Sequence, residues 1–341
     1  MTVPVVAFFN NKGGVGKTSL VYHTAWMLSE MGCRTVAADL DPQANLTGAF
    51  FDEDSLERLY DEGNVASTIH RCVLPLKEGT GDIADPAVQD INGQLGLLAG
   101  DLALSEFEDS LSEVWPKCLD RDQRSFRITS AFYRVMQKSA EIRNADIILL
   151  DLGPNLGAIN RAALISSDHV VIPLAPDLFS QQGLRNMGPR LREWRDGWVE
   201  RSAKNPVKNL ELPRGSIEPI GYVVLQHTVR LDRPMNAYAK WIKRIPDLYS
   251  EHVLGMNLDV RSKMTIETDP NCLALLKNYQ SLMPMAQEAR KPMFLLKAAD
   301  GAHGSHYSAA QRAGEDFREL AAKILHRIGV AQPSQTPTRR P

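Results

Sequence analysis

The sequence predicts an α/β fold: a doubly wound, mostly parallel sheet flanked by helices. Three observations carry this reading. Short apolar runs of strand length alternate along the chain with stretches of helical spacing. Some runs are apolar throughout, as strands buried on both faces must be; Ile147-Ile148-Leu149-Leu150 is the clearest. Several of them close on acidic or loop-forming residues, at the strand ends where open α/β sheets bind ligands.

Val3 to Phe9 is the first strand. Asn10-Asn11-Lys12-Gly13-Gly14-Val15-Gly16-Lys17-Thr18-Ser19 follows, and then a helix in which Leu20, Ala25, Leu28 and Met31 share one stripe. Strand, glycine-rich turn and helix together let backbone N–H groups converge on a phosphate chain at a helix N-terminus. The glycines remove the Cβ atoms that would hold the anion away. Residues Gly13, Gly14, Val15, Gly16, Lys17, Thr18 and Ser19 form the expected nucleotide-binding set, with Lys17 on the β- and γ-phosphates and Thr18 ligating Mg²⁺.

The loop departs from G-x-x-x-x-G-K-[ST], because Asn11 stands where the first glycine belongs and Lys12 follows at once. In this form, Lys-Gly-Gly-x-Gly-Lys-Thr, it resembles the deviant Walker A box of the ParA/MinD family of ATPases. The resemblance implies a P-loop NTPase fold, ATP and Mg²⁺ as ligands, and a homodimer formed with ATP. It also implies that Lys12 reaches across the dimer interface to the partner's nucleotide. A second cation there suits phosphoryl transfer, which is catalysed largely by positioning and charge stabilisation.

Thr35 to Leu40 is the second strand, closing on Asp39-Leu40-Asp41-Pro42-Gln43. Alternation puts Asp39 and Asp41 on one side of an extended chain. Two carboxylates there suit the water shell of Mg²⁺ and the orientation of an attacking water. The box resembles the family's D-x-D-P-Q motif, which implies Asp41 as the residue that positions the water and Asp39 as support for the metal.

Residues 52–93 read as polar surface loops, with a short helix from Val65 to Leu76 that turns at Pro75. Gln94 to Ala99 is a strand, and Ser105 to Val114 and Ser125 to Arg143 are amphipathic helices. The second of these buries Phe126, Ile128, Ala131, Val135 and Ile142. Asp151 ends the Ile147–Leu150 strand and resembles a Walker B aspartate, which implies a contact with Mg²⁺ through water. Here Leu152-Gly153-Pro154-Asn155 replaces the family's residue and two prolines.

Gly157 to Ser166 reads as a helix, His169 to Leu174 as a strand, and Asp177 to Trp194 as a long helix carrying Arg185, Arg190, Arg192 and Arg195. In ParA-like proteins cations in this half of the fold bind DNA without sequence preference, and phosphate contact needs only clustered charge. Glu193, Asp196 and Glu200 are interleaved, as on a solvated helix face. Ile217 to Leu225 is another strand. It leads to Gln226, which the resemblance places near adenine, and a basic helix follows from Arg230 to Trp241. Asn278 to Pro284 resembles the family's late nucleotide-side segment and implies a base contact for Pro284. Ala309 to Ile328 closes the fold with Ala310, Ala313, Phe317, Leu320, Ala321 and Ile324 on one face.

These elements predict one domain over residues 1–330, with surface insertions at 52–93 and 200–216 and a disordered tail at 331–341. The net charge of −2 gives no global attraction to nucleic acid, so any DNA contact must be local. Four scattered cysteines suggest neither a disulfide framework nor a metal site. With no signal peptide, membrane span or amphipathic membrane anchor in view, a cytoplasmic protein is expected. No helix-turn-helix precedes the loop. The expected function is an ATP-driven switch for DNA partitioning or cargo positioning, served by a DNA-binding or cargo-adaptor partner that stimulates hydrolysis. A P-loop ligase-type enzyme and a MinD-like membrane-surface switch are the alternatives. The first is disfavoured by Lys12 and the second by the polar, Ala-rich C-terminus.

Overall fold

The computed structural model describes residues 2–61, 67–225, 240–257, 264–277, 279 and 281–332. Eight strands form one sheet in the order β3-β4-β2-β5-β1-β6-β7-β8. They are β1 (Val5–Phe8), β2 (Thr35–Asp39), β3 (Gln89–Asp90), β4 (Leu95–Leu98), β5 (Ile147–Asp151), β6 (His169–Leu174), β7 (Glu218–Leu225) and β8 (Cys272–Leu276). Every pairing is parallel except that of β3, which runs antiparallel to β4 at one edge.

Period-two alternation divides the central strands between two cores. Val5 and Ala7, with Ile148 and Leu150, face one core; Val6 and Phe8, with Ile147 and Leu149, face the other. The first core is covered by α4 (Ile69–Glu78), α5 (Glu108–Lys117), α6 (Gln123–Thr129), α7 (Ala131–Arg143), α8 (Ala158–Ile165) and α9 (Leu178–Ser202). The second is covered by α1 (Lys17–Glu30), the short helices α2 (Asn45–Phe50) and α3 (Glu53–Tyr60), α11 (Met283–Ala289) and α12 (Ser305–Arg327). A further one-turn helix, α10 (Ile245–Leu248), packs under α9. With apolar residues buried on both faces, the sheet is doubly wound, as the uninterrupted strands require.

Several local readings change. The segment read as loop after residue 52 contains α3, because Asp52 caps it by accepting from the Ser55 N–H at 2.9 Å. Pro75 lies inside α4, which runs on to Glu78. The helix expected from Ser125 to Arg143 is two helices that meet at Ser130, whose hydroxyl donates to the Phe126 carbonyl at 2.7 Å. Ile142, expected in the core, is 54% exposed, because the face of α7 toward its C-terminus turns to solvent. Helix α9 continues eight residues past Trp194, where Trp198 is fully buried and donates to the Pro213 carbonyl at 2.9 Å. That bond ties the 200–216 segment back onto the core. The basic helix read from Arg230 and the tail lie, but for residues 240, 241, 331 and 332, outside the described residues.

Candidate functional site

The site is assembled at the carboxyl ends of β1, β2 and β5, which are adjacent in the sheet. Register places Asp151 beside both Phe8 and Asp39, so the turn after β1 and the two acidic strand ends converge. The β1 turn is fixed by Asn10, whose side-chain amide donates to the Pro173 carbonyl at 2.6 Å and whose oxygen accepts the Lys12 N–H at 2.9 Å. Gly16 then starts α1 in the left-handed region (φ 83°), and a Cβ there would lie 3.0 Å from Leu225. Helix α1 has no side-chain cap, so its first N–H groups are left facing the loop.

Lys17 begins α1 and is only 7% exposed. Burial lowers its pKa, while Asp151 and Asp41 oppose that shift and favour the ammonium. Asp151 is fully buried, and neither carboxylate oxygen has a hydrogen-bond partner among the described residues. Its pKa is driven upward, first by burial and then by the charge of Asp39. The Thr18 hydroxyl is near enough to pull the other way without meeting hydrogen-bond geometry, and Lys17 acts in the same sense. Asp41 is largely buried, and its carboxylate accepts the Gln43 N–H at 3.0 Å.

Asp39 has an additional duty that its sequence motif did not suggest. One of its oxygens accepts both the N–H and the hydroxyl of Thr47 at 2.8 Å, which pins the start of α2 to the end of β2. Thr47 in turn accepts the Gly100 N–H at 2.8 Å, and a Cβ on Gly100 would stand 2.8 Å from the Asp39 carboxylate. Burial raises the Asp39 pKa, the Thr47 bonds lower it, and Asp41 raises it again.

Lys12 does not fold back over its own loop. Its ammonium makes an ion pair with Asp177 and lies 5.9 Å from the centre of the Phe179 ring. Asp177 also caps α9, accepting from the Ser180 N–H at 2.8 Å. Burial raises the Asp177 pKa, but the pairing with Lys12 and the bonds to Ser180 together outweigh it and the net shift is downward. Leu178 and Phe179 beside this pair are exposed, at 45% and 66%. Asp177, Phe179 and Thr47 were not among the expected site residues. Thr47 carries no sequence signal, while Asp177 is legible only as a helix cap.

An apolar pocket of about 150 Å³ opens beyond Gly16, lined by Ser19, Leu20, Leu225, Leu276 and Met283. Pro284 follows Met283 in the first turn of α11, next to this pocket. Gln226 lies outside the described residues. A larger cleft of about 670 Å³ extends from Thr18 past Gln43 and Asn45 to Arg290.

A magnesium ion fits the donor set. Mg²⁺ keeps most of its ligands as water and phosphate oxygen, and takes few from protein. Unpartnered Asp151 beside the Thr18 hydroxyl supplies the anionic wall that such an ion needs.

The four arginines of α9 do not form one free patch. Arg190 pairs with Glu193 at 2.7 Å, Arg195 lies 3.5 Å from Asp196, and Arg192 donates to the carbonyls of His252 and Val253 at 2.7 and 3.0 Å. Arg185 is exposed.

The family model described as "AAA domain" matches residues 3–201, more than half of the chain. An uncharacterized protein of Methanocaldococcus jannaschii is 28% identical over 202 residues, covering 59% of this chain and 68% of its own length. The chromosome partitioning protein ParA of Myxococcus xanthus is 27% identical over 189 residues, covering 54% of this chain and 56% of its own length. The chain therefore spans about half the length of that relative. A solved ATP complex of Cyanothece McdA superposes with a TM-score of 0.62 at 13% identity, covering 98% of this chain and 99% of that one, and so shares the fold. Among the described residues no helix is long and apolar enough to cross a membrane. The matched region contains the loop, the paired aspartates of β2 and the buried aspartate of β5, and the chain belongs to the ParA/MinD family of P-loop ATPases.

Proposed function

We propose that this protein is an ATP-driven switch that pairs with a second copy of itself when ATP is bound, and that it acts in DNA partitioning or intracellular cargo positioning. The observation that carries the reading is the placement of the two loop lysines. Lys17 is buried against Asp151 and Asp41 at the phosphate end of the sheet, whereas Lys12 points away and is held by Asp177. A cation placed outside its own site is suited to serve another copy's nucleotide.

In this reading the loop amides and Lys17 cradle the phosphates, and Thr18 and Asp151 hold Mg²⁺, Asp151 through water. When bound, the ion neutralises charge on the β- and γ-phosphates. Asp41 orients the attacking water for in-line displacement at the γ-phosphorus, and the proton leaves on that side. Asp39 keeps the Asp41 segment in place through Thr47 and supports the ion's surroundings. Lys12 of one copy stabilises the transferring phosphoryl group in the other, which makes hydrolysis depend on pairing. Pro284 borders the base, with the apolar slot beside Gly16 taking its ring.

Partitioning is supported by what the Myxococcus relative is named for, and nonspecific DNA contact by exposed Arg185 with its neighbours Arg190 and Arg195, which are ion-paired, and Arg192, which is bound to backbone carbonyls. Two weak basic surfaces brought together in a dimer would bind DNA by avidity. A DNA-binding or cargo-adaptor partner that stimulates hydrolysis completes the cycle. Sedimentation with and without ATP, paired with DNA retention in each state, tests the reading. It predicts a dimer and retention only with ATP, and a monomer that hydrolyses ATP at full rate would rule it out.

A further inference from the structure

On the face of the molecule formed by α5, α8 and α9 lies a cleft of about 430 Å³, separate from the P-loop. Its floor is the Trp115 ring. The Arg161 guanidinium sits 4.7 Å from the ring centre and that of Arg201 sits 4.1 Å from it, so the two cations are no more than about 9 Å apart. Neither makes an ion pair among the described residues. Arg161 donates to the Leu111 carbonyl at 3.0 Å, and Arg201 donates to the carbonyls of Trp115 and Gly197 at 2.9 Å. These neutral acceptors fix the orientation of both groups and leave each without a salt-bridge partner among the described residues, although Glu108 acts on Arg161 and Glu200 on Arg201 from longer range. The remaining charged groups at the cleft, Arg190 and Glu193, are paired with each other at its exposed edge.

Two like charges held close and half-buried are unfavourable on their own. Burial lowers the pKa of both guanidiniums, and Arg201 adds to the shift of Arg161, although Glu108 opposes it. Stacking on Trp115 relieves part of this cost, yet it also locks the two forks in fixed positions. Preorganised, unpaired guanidiniums lining a concave space are the arrangement that recognises an oxyanion by bidentate hydrogen bonding.

We infer that this cleft binds a phosphate monoester dianion. Two guanidiniums match two negative charges, and they offer more N–H donors than a single carboxylate can accept. The volume suits a small phosphorylated group, and Glu193 at the edge disfavours a continuous nucleic-acid backbone. The Trp115 ring is already engaged by the two arginines and by stacking on Trp198, ring centres 6.3 Å apart, so no base-stacking platform is offered. Leu156 also lines the cleft and belongs to the loop that leaves Asp151, while Arg161 lies on α8, the helix that loop enters. An anion bound here would therefore bear on the loop at the end of the catalytic strand. The inference itself does not depend on the ATPase cycle.

The test is calorimetric titration of the full chain, first saturated with ADP and Mg²⁺ so that the P-loop is filled. Inorganic phosphate, glycerol 3-phosphate, a phosphoserine peptide, succinate and duplex DNA are titrated separately at constant ionic strength. Binding of phosphate or one of the monoesters is expected, with at least tenfold weakening in Arg161→Gln and a smaller loss in Arg161→Lys, which keeps the charge but not the fork. Whichever monoester binds more tightly than phosphate identifies the source as metabolite or phosphorylated side chain. ADP affinity should be unchanged in both variants, which also reports that they are folded. If Arg161→Gln fails to fold, the Arg161→Lys comparison decides alone. No heat with phosphate or either monoester at 10 mM (roughly the weakest binding of use,), equal affinity in wild type and variants, or binding by succinate or DNA alone overturns the inference.

Discussion

Replacing Asp151 with Asn should stabilise the ligand-free protein at alkaline pH while weakening its response to nucleotide. Both Asp151 oxygens are buried without a hydrogen-bond partner among the described residues, and Asp39 stands on the neighbouring strand. A charged carboxylate so placed costs several kcal/mol, and keeping it protonated costs about 1.4 kcal/mol per pH unit above its unfolded pKa. Near pH 8, roughly four pH units above the unfolded value, the amide removes a penalty of about 5 kcal/mol but introduces an unsatisfied polar group worth about 1–3 kcal/mol. The net gain is then about 3 kcal/mol, or roughly 4 °C in melting temperature for a chain of this size. The folded-state pKa values of Asp151 and Asp39 are both raised, so their contribution is fully present below the unfolded value near pH 4 and is lost as pH rises through the folded values. Wild-type stability should therefore fall with rising pH over that range, and the Asn variant should show a shallower slope. Thermal unfolding from pH 5 to 8.5, with and without ATP and Mg²⁺, measures all of this. Added ligand should stabilise wild type more than the variant. A variant that melts below wild type at pH 8 with the same pH slope would refute the reasoning.

Three further perturbations follow from the same geometry. Thr47→Val removes the hydroxyl that donates to Asp39 and accepts from Gly100, and should cost about 2–4 kcal/mol in denaturant unfolding; a loss under ~0.5 kcal/mol would count against the bridge. Gly16→Ala forces a Cβ into a left-handed position 3.0 Å from Leu225, so nucleotide affinity should drop at least tenfold from ~1–2 kcal/mol of backbone strain plus displaced loop amides. Asp177→Asn keeps the α9 cap but removes the charge holding Lys12; a partly exposed pair is worth up to ~1 kcal/mol, so ATP-dependent pairing should occur at about fivefold lower protein concentration, and unchanged pairing would separate Lys12 from the interface.

The site's chemistry was legible wherever it is local in sequence. The glycine loop, the paired aspartates and the Asp151 strand end each declare themselves within ten residues, because a phosphate cradle is a continuous piece of backbone. The apolar runs likewise announced a sheet buried on both faces. What stayed hidden depends on contacts between distant segments. Thr47 is an ordinary helix residue until Asp39 is seen beneath it, and Asp177, in the loop after β6, pairs with Lys12 after the neighbouring β1 although 165 residues separate them in sequence. β8 was missed because its five residues include three that are only partly buried, so its apolar signal is short and unframed. The break at Ser130 arises from one hydroxyl bonding back to a carbonyl, which helical periodicity does not register.

The most direct test of the switch is light scattering of Asp41→Ala and Lys12→Ala with ATP and Mg²⁺, run beside retention on nonspecific DNA at low and moderate salt. Asp41→Ala keeps the loop amides, Lys17 and Thr18, so it should bind ATP, hydrolyse it far more slowly and accumulate as a DNA-retained dimer. Lys12→Ala should bind nucleotide yet remain monomeric and unretained, because the cation that serves the second copy is gone. A monomeric Asp41→Ala, or a Lys12→Ala that pairs as well as wild type, would contradict the account.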